Sequence, residues 1–476
     1  MNHAVTLQAE QVRRRLATFG QSHLLTFFDE LTAPQQASLL EQCASLPLEM
    51  LAREVKGWIA AAPAHDDAGA AIEPAHVVSA RTVDDAAYRA LGEQMLRAGR
   101  VACFTVAGGQ GTRLGWNAPK GTFAATPVTG KSLFQLFAES IRAARTRWEC
   151  AIPWYVMTSP QNHEATRAFF SEHEWFDLGA STVRLFEQGT LPSLRSDGKI
   201  LLSERGSIAL NPDGHGGAVR ALHASGALVE MQREGVDTLS YFQIDNPLAK
   251  AIDPLFLGLH SAHPQSAGEV SSKIVAKRDA REKVGVFCRR SNRSIVMEYS
   301  DLPAHLAQAV DADGSLVHFA GSIAIHIFSR HFLERLASAG HELPLHRASK
   351  KVPCVDLATG ALVEPTTPNA IKLESFIFDA VPLASRSLIL ETSREEEFAP
   401  IKNAHGEDSP STSARAQSNR AARWLEQCGV SIARSADDGS YNATIELSPL
   451  TALDAEQLAS CSRLPKRIDA GATLAL

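Results

Sequence analysis

Seven cysteines in 476 residues are few, and they lie far apart (Cys43, Cys103, Cys150, Cys288, Cys354, Cys428, Cys461). None forms a C-x-x-C pair, so neither a disulfide framework nor a cysteine-rich zinc module is indicated. Basic residues are not in excess either: 47 Lys and Arg stand against 53 Asp and Glu, a net charge of −6. So mildly acidic a chain argues against broad binding to nucleic acid or an anionic membrane, and leaves room only for a local basic pocket. No run of 18 apolar residues occurs, and the opening MNHAVTLQAEQVRRR has no apolar signal core. The expectation is a protein of the reducing cytoplasm. Internal repeats and low-complexity tracts are also missing. What the chain does have is apolar content, 45% against 21% charged, enough to bury large cores. At about 150 residues per domain, its length suggests two or three domains.

Residues 5 to 60 read as helices. Leu24, Leu25, Phe27, Phe28 and Leu31 form one apolar cluster, and Leu39, Leu40 and Cys43 continue at helical spacing. Thr32 with Gln35 forms a capping-box pattern, with Pro34 in the first turn. From 61 to 79 the composition turns to Ala, Pro, Gly and Asp and reads as a connector. From Arg100 onward short apolar runs alternate with helical stretches: VACFTV, the helix KSLFQLFAESIRAARTRW, IPWYVMTS, the helix NHEATRAFFSEH, TVRLFEQG, the helix GAVRALHASGALVEMQREG, and DTLSYFQID. That alternation predicts right-handed βαβ units in a mostly parallel sheet. Beyond residue 260 the text is strand-rich, residues 403–420 form a polar loop or linker, and short apolar segments resume near Ala421. The expected organisation is a helical region over 1–95, an α/β catalytic domain over 96–405 and a small C-terminal domain over 406–476.

The strongest chemical signal is Ala107-Gly108-Gly109-Gln110-Gly111-Thr112-Arg113-Leu114-Gly115, directly after a strand, with Pro119-Lys120 beyond it. Glycines let backbone N–H groups approach a phosphate closely, and Arg113 and Lys120 can supply charge to the same oxygens. A tight turn flanked by surface charges would read the same way. The dinucleotide fingerprint G-x-G-x-x-G fails at Leu114, and the Walker pattern fails for want of G-K-[ST]. Asp245 ends an apolar strand, where α/β sheets bind ligands, although Asp also caps helices. Phe376 and Phe378, two apart on a predicted strand, point the same way, as core or pocket. His318, His326 and His331 assemble no coherent metal set and read as core or surface residues.

AGGQGTRLGWNAPKGTF resembles the nucleotide loop of the eukaryotic-type UDP-sugar pyrophosphorylases, nearest to the UDP-N-acetylhexosamine branch. The resemblance continues in order through FEQGTLPSL, NPDGHGGAVRAL, YFQIDNPLAKAIDP, SSKIVAKRDAREKVGVF, MEYSDLP, LPLHRASKKVPCVD, NAIKLESFIFDAVPLA and REEEFAPIKNAHGEDSPSTSAR. GQSHLLTFFDEL resembles the N-terminal helical region, so the matches run from about residue 20 to 450. The resemblance implies a Rossmann-like α/β core, a mixed and mostly parallel sheet, with a helical N-terminal region and a small C-terminal domain. It implies the reaction of UTP with a sugar 1-phosphate to give a UDP-sugar and pyrophosphate, with Mg²⁺. Gly108, Gly109, Gly111 and Thr112 would then hold the base and phosphates of UTP, while Arg113 and Lys120 stabilise charge on the triphosphate. Gln188, Gly189 and Gly214 would surround the uracil, and Asp245 would bind the metal. Gly285, Glu298, Phe376 and Phe378 would line the sugar pocket, and Lys402 would contact the sugar 1-phosphate.

Two departures concern the sugar. The branch reads G-N-G-G where this chain has Gly214-His215-Gly216-Gly217, and A-G-N-I where it has Ala320-Gly321-Ser322-Ile323. Both asparagines help hold the N-acetylated sugar in the branch. Losing such partners changes selectivity as well as affinity. N-acetylglucosamine 1-phosphate is therefore the first expectation, with a UDP-glucose or UDP-galactose (broad UDP-sugar) pyrophosphorylase close behind. A non-catalytic UDP-sugar sensor is more distant, because Arg113, Lys120, Asp245 and Lys402 are all present. A nucleotide-dependent oxidoreductase lacks both the third fingerprint glycine and an acidic ribose-binding residue. The sequence leaves the oligomeric state open.

Overall fold

The computed structural model describes residues 3–60, 71–79, 85–338 and 343–476. The chain divides into two compact units, neither continuous in sequence. The first joins Met1–Ala70 to Gly189–Gly217 and Leu343–Ile377; the second comprises Ala71–Gln188, Ala218–Glu342 and Phe378–Leu476.

In the first unit, helices His3–Thr18, Ala33–Ser45 and Leu48–Ala60 follow the expected helical region. The Gln35 side-chain carbonyl accepts from the Thr32 backbone N–H at 3.0 Å and starts the second helix where the T-x-x-Q pattern placed it. Leu24, Phe27, Phe28, Leu39, Leu40 and Cys43 are buried, but not against one another alone. Their core is completed by Leu191, Leu194, Ile200, Leu202 and Ile208, and by Val355 and Leu373. Two antiparallel ladders, Thr190–Pro192 with Leu210–Pro212 and His346–Lys350 with Ala370–Glu374, carry part of that apolar set.

The second unit is built on a sheet of eleven strands among the described residues. In chain order these are β1 (Glu73–Pro74), β2 (Val78–Ser79), β3 (Val101–Val106), β4 (Trp154–Thr158), β5 (Val183–Glu187), β6 (Thr238–Gln243), β7 (Val270–Ala276), β8 (Val286–Arg290), β9 (Arg293–Met297), β10 (Ala320–Ser329) and β11 (Ser387–Glu391). The main order is β2-β11-β7-β10-β6-β3-β4-β5, with β8 joining β1, β9 and β10. Strands β3, β4, β5 and β6 pair in parallel, while β10 runs antiparallel to both β6 and β7. β3 and β4 are buried along almost their whole length, as expected of strands covered on both faces, and this is why they read as continuous apolar runs. Helix Leu133–Trp148 starts at Ser132, whose hydroxyl accepts from the Gln135 N–H at 3.1 Å, and stacks Phe137 on Phe242 of β6. Helix Pro410–Gln427 organises a smaller C-terminal core of Trp424, Leu425, Ile432, Ile445, Leu458 and Ile468. Among the described residues no helix is long and apolar enough to cross a membrane.

Several local expectations change. The predicted connector over 61–79 lies outside the described residues up to 70, but its last part supplies β1 and β2, which join the sheet through backbone pairing. The predicted single helix after Gly217 is two, Ala218–Ala224 and Ala227–Glu234, divided at Gly226 with φ 78°. The polar stretch 403–420 is loop only as far as Asp408. Ser409 then caps a helix that buries Ser413, Gln417 and Ser418, so polar composition there hides a packed face. Phe376 and Phe378 are not on a strand: the strand ends at Glu374 and a 3₁₀ turn runs Ile377–Leu383.

Candidate functional site

β3 and β6 lie side by side, Val106 opposite Gln243. β4 and β5 extend the sheet from β3 on one side, and β6 and β10 extend it on the other. The chain therefore reverses its direction of winding between β3 and β6, and in open α/β sheets the region beyond the carboxyl ends at such a reversal is the general ligand position. Two motifs start there: the glycine loop follows Val106, and Asp245 follows Gln243.

The loop is held from beneath by Asn162, which is 1% exposed. Its amide donates to the Ala107 carbonyl at 3.0 Å and to that of Gly109 at 3.4 Å, while its side-chain oxygen accepts from the Ser159 N–H. The loop glycines serve different ends. A Cβ on Gly108 would stand 2.4 Å from the side-chain oxygen of Gln188, so glycine lets the Gln188 amide lie against the loop. A Cβ on Gly111 would meet Trp116 at 2.8 Å, which makes Gly111 a packing requirement of the turn. A Cβ on Gly109 would meet nothing within 4 Å. Thr112 and Arg113 sit exposed in a 3₁₀ turn over 112–114, and Arg113 has no hydrogen bond or ion pair among the described residues.

Lys120 folds back so that its backbone N–H donates to the Gly109 carbonyl, and its ammonium lies 3.4 Å from Asp245 Oδ2. The two side chains are 18% and 14% exposed, a loose pair in a partly sheltered place. No helix begins at Asp245, which removes the helix-cap reading; the next starts at Pro254. Asn246, 3% exposed, donates to the Glu397 carbonyl at 2.7 Å and accepts from the Ala399 N–H at 3.0 Å. The Ile401 N–H donates to the Asp245 carbonyl at 2.8 Å. These bonds bring Lys402 beside the strand end that carries Asp245. The Lys402 side chain is 37% exposed, and its ammonium lies 3.7 Å from Asp408.

No three His, Cys, Asp or Glu side chains converge on a metal position among the described residues. A lone carboxylate at Asp245 does not suit zinc, which wants four protein ligands or three and a water. It suits Mg²⁺, which keeps several waters and takes its remaining oxygens from substrate phosphates.

Also in the second unit, the Ser322 N–H donates to the Gly285 carbonyl at 2.8 Å, and a Cβ on Gly285 would lie 3.8 Å from a Glu298 carboxylate oxygen. The β7–β10 register steps from Lys273↔Ile325 to Ile274↔Ser322, leaving Ile323 and Ala324 unpaired in a bulge. Ala324 takes φ 54°, an uncommon conformation for a residue with a Cβ, and bulges of this kind re-aim side chains near sites. Phe378 is buried in the 3₁₀ turn.

The first unit gathers the remaining positions. Gly214 has φ 83°, and a Cβ there would stand 2.4 Å from the Ser375 carbonyl. The buried Asp213 carboxylate lies where a Cβ on Gly189 or Gly217 would collide with it. Phe376 lies against two imidazoles, stacked on His215 at 5.3 Å and tilted against His346 at 4.5 Å. His215 Nδ1 accepts from the Ile377 N–H at 3.1 Å, which puts the proton of the neutral ring on Nε2. Burial, with His346 beside it, pulls His215 down to about 4, so the ring is neutral near pH 7. The other histidines stand apart: His326 is buried against the Ser272 hydroxyl, His318 against the Cys288 thiol, and exposed His331 pairs with Glu334.

The supports Asn162, Asp213 and Asn246 carry no local motif that marks them in the sequence. A strand followed by S-P-Q-N, and D-N closing another, are the nearest signals to one.

Residues 64–409 match the family model described as UTP–glucose-1-phosphate uridylyltransferase. A UDP-N-acetylhexosamine pyrophosphorylase-like protein 1 of Xenopus tropicalis is 36% identical over 482 residues, covering 95% of this chain and 94% of that one. A UDP-N-acetylglucosamine pyrophosphorylase of Saccharomyces cerevisiae is 36% identical over 433 residues, with 88% of each chain covered. The crystal structure of the uridine diphosphate N-acetylglucosamine pyrophosphorylase from Trypanosoma brucei superposes with a TM-score of 0.77 at 27% identity, over 95% of this chain and 94% of that one. With its glycine loop and its carboxylate side by side at the reversal of the sheet, and with relatives matching nearly end to end, the chain belongs to the UTP–glucose-1-phosphate uridylyltransferase family.

Proposed function

We propose that this protein is a UTP:sugar-1-phosphate uridylyltransferase that makes a UDP-sugar and pyrophosphate, with N-acetylglucosamine 1-phosphate as its preferred sugar substrate. The observation that carries the reading is the convergence of the glycine loop, Lys120, Asp245 and the Lys402 segment at the carboxyl ends of β3 and β6. The names of the relatives support the choice of sugar.

The chemistry asks for positioning and charge neutralisation more than for a covalent intermediate. An oxygen of the sugar 1-phosphate attacks the α-phosphorus of UTP in line, and the bond to the leaving pyrophosphate breaks. Open space at Gly109 admits a phosphate or base against the backbone, and Gln188 behind Gly108 offers one donor and one acceptor, the complement of a uracil edge. Arg113 and Lys120 neutralise the triphosphate. Lys402 holds the attacking phosphate, and its exposure leaves it free to change partner from Asp408. Asp245 would hold Mg²⁺, which when bound supplies charge to the phosphate oxygens. We place the protein in the cytoplasm.

A second reading, preference for glucose or galactose 1-phosphate, is favoured by His215 and Ser322. His215, fixed as the Nε2–H tautomer, is a donor where an asparagine offers donor and acceptor together. Initial rates of pyrophosphate release with UTP, Mg²⁺ and each of N-acetylglucosamine, N-acetylgalactosamine, glucose and galactose 1-phosphates decide between them. No release with any of the four would overturn both readings.

A further inference from the structure

Behind the end of β6 lies a buried group of charges that the reaction as described does not use. Lys273 on β7 is 1% exposed, and its ammonium sits 2.6 Å from Asp253 and 2.6 and 2.8 Å from the two oxygens of Glu397. Glu397, 2% exposed, also accepts from the Thr392 hydroxyl at 2.7 Å, with the Lys250 ammonium 3.8 Å away. Asp253 caps helix Pro254–Ala262 through the Leu255 and Phe256 N–H groups. Burial works against all these charges. Asp253 and Glu397 nevertheless outweigh it at Lys273 and raise its pKa, and Lys273 with Lys250 holds Asp253 well below the usual carboxylate range.

Such a cluster is a poor way to gain stability, because well-packed apolar side chains often do as well or better in the same volume. It does fix geometry, and what it fixes is the lysine segment. Glu397 is anchored to β7 by its carboxylate and to Asn246 by its backbone carbonyl. Asn246 then holds the Ala399 N–H, and Ile401 bonds to Asp245. Residues 397–401 thus run as a strap pinned at one end by Lys273 and at the other by the carbonyl of the metal-binding candidate, with Lys402 the next residue.

We infer that Lys273, Asp253 and Glu397 are positioning residues that set where the Lys402 ammonium stands relative to Asp245. The inference rests on the reading of Lys402 as the sugar-phosphate lysine. A misplacement of about 1 Å costs on the order of 100-fold in reactions governed by orientation. Glu397→Gln keeps the shape and removes the charge that Lys273 grips.

The test is a double-mutant cycle of Glu397→Gln with Lys402→Ala on the full chain, reading kcat, UTP affinity and melting temperature. Glu397→Gln alone is expected to lower kcat by about 10- to 100-fold with UTP affinity within about twofold. In the Lys402→Ala background the same change should alter kcat by less than about twofold, since nothing is left to position. A cluster serving stability alone would lower the melting temperature and the active fraction equally in both backgrounds, and that additive result would overturn the inference. Unchanged kcat in Lys402→Ala alone would overturn the underlying reading of Lys402, and the inference with it. Should Glu397→Gln fail to fold, Thr392→Val removes one hydrogen bond and no charge. Its smaller loss of kcat must likewise vanish without Lys402, and an additive loss counts against the inference in the same way.

Discussion

Gly109→Ala separates a ligand cradle from a structural turn. Of the loop glycines at 108, 109 and 111, only Gly109 has no atom within 4 Å of the place a Cβ would occupy, and its φ lies outside the left-handed region. The added methyl group should change stability by no more than about 0.5 kcal/mol, as for exposed substitutions away from special features. If a UTP phosphate or base packs against that backbone, the methyl group overfills the contact at about 1–3 kcal/mol, or roughly 5- to 150-fold in kcat/KM for UTP. Gly111→Ala is the contrast: its Cβ would press on Trp116 at 2.8 Å, so stability and activity should fall together. The assay is initial pyrophosphate release against UTP concentration, paired with a thermal melt of each variant. Wild-type kcat/KM in a normally stable Gly109→Ala protein would refute the claim that the nucleotide lies on this loop.

Other expectations follow from the same geometry. Lys402→Ala should lower kcat at least about 100-fold while equilibrium binding of UTP stays within a few-fold; a collapse of UTP affinity would move Lys402 to the nucleotide. Changing His215 and Ser322 both to Asn should raise the kcat/KM ratio of N-acetylglucosamine over glucose 1-phosphate by about 10-fold or more. An unchanged ratio would show that these positions do not choose the sugar. Chelation of divalent cations should abolish turnover and Mg²⁺ restore it, whereas Asp245→Asn should raise the Mg²⁺ concentration required. His260, 2% exposed against the Ser271 hydroxyl, is pulled by burial from 6.5 to about 4. The unfolded chain therefore binds that proton first, so stability is complete above about pH 6.5 and falls as the pH drops toward 4. Linkage gives about 2 kcal/mol lost between pH 7 and 5, which urea titrations should find reduced in His260→Asn.

Much of this site could be read from the chain because its signals are local. β3, β4 and β5 are apolar runs of strand length with helical stretches between them, and the glycine loop and Asp245 follow directly on strand ends. Where reading fell short, the deciding contacts are distant in sequence. Val78 and Ser79 look like connector because only pairing with β11 makes them strand. Polar Ser413, Gln417 and Ser418 look like linker because their burial depends on partners such as the Ala125 and Ala443 carbonyls. Phe376 looks like one of an alternating strand pair, yet its neighbours are two imidazoles, 161 positions before it at His215 and 30 before it at His346. Asn162, Asn246 and Glu397 bear weight through hydrogen bonds spanning 55, 151 and 124 residues, which no local pattern announces.

The interrupted first unit has a consequence for biosynthesis. Its helices are finished when 60 residues have left the ribosome, but the core they share is closed by Leu373. At about 5–20 residues per second, some 300 further residues take roughly 15–60 s to emerge. Through that interval the core around Leu24, Phe27, Phe28, Leu39 and Leu40 stays incomplete: Leu191 to Ile208 join it partway, and Val355 and Leu373 close it last. Slow translation of the middle third should therefore cost yield of soluble protein while leaving the specific activity of what does fold unchanged.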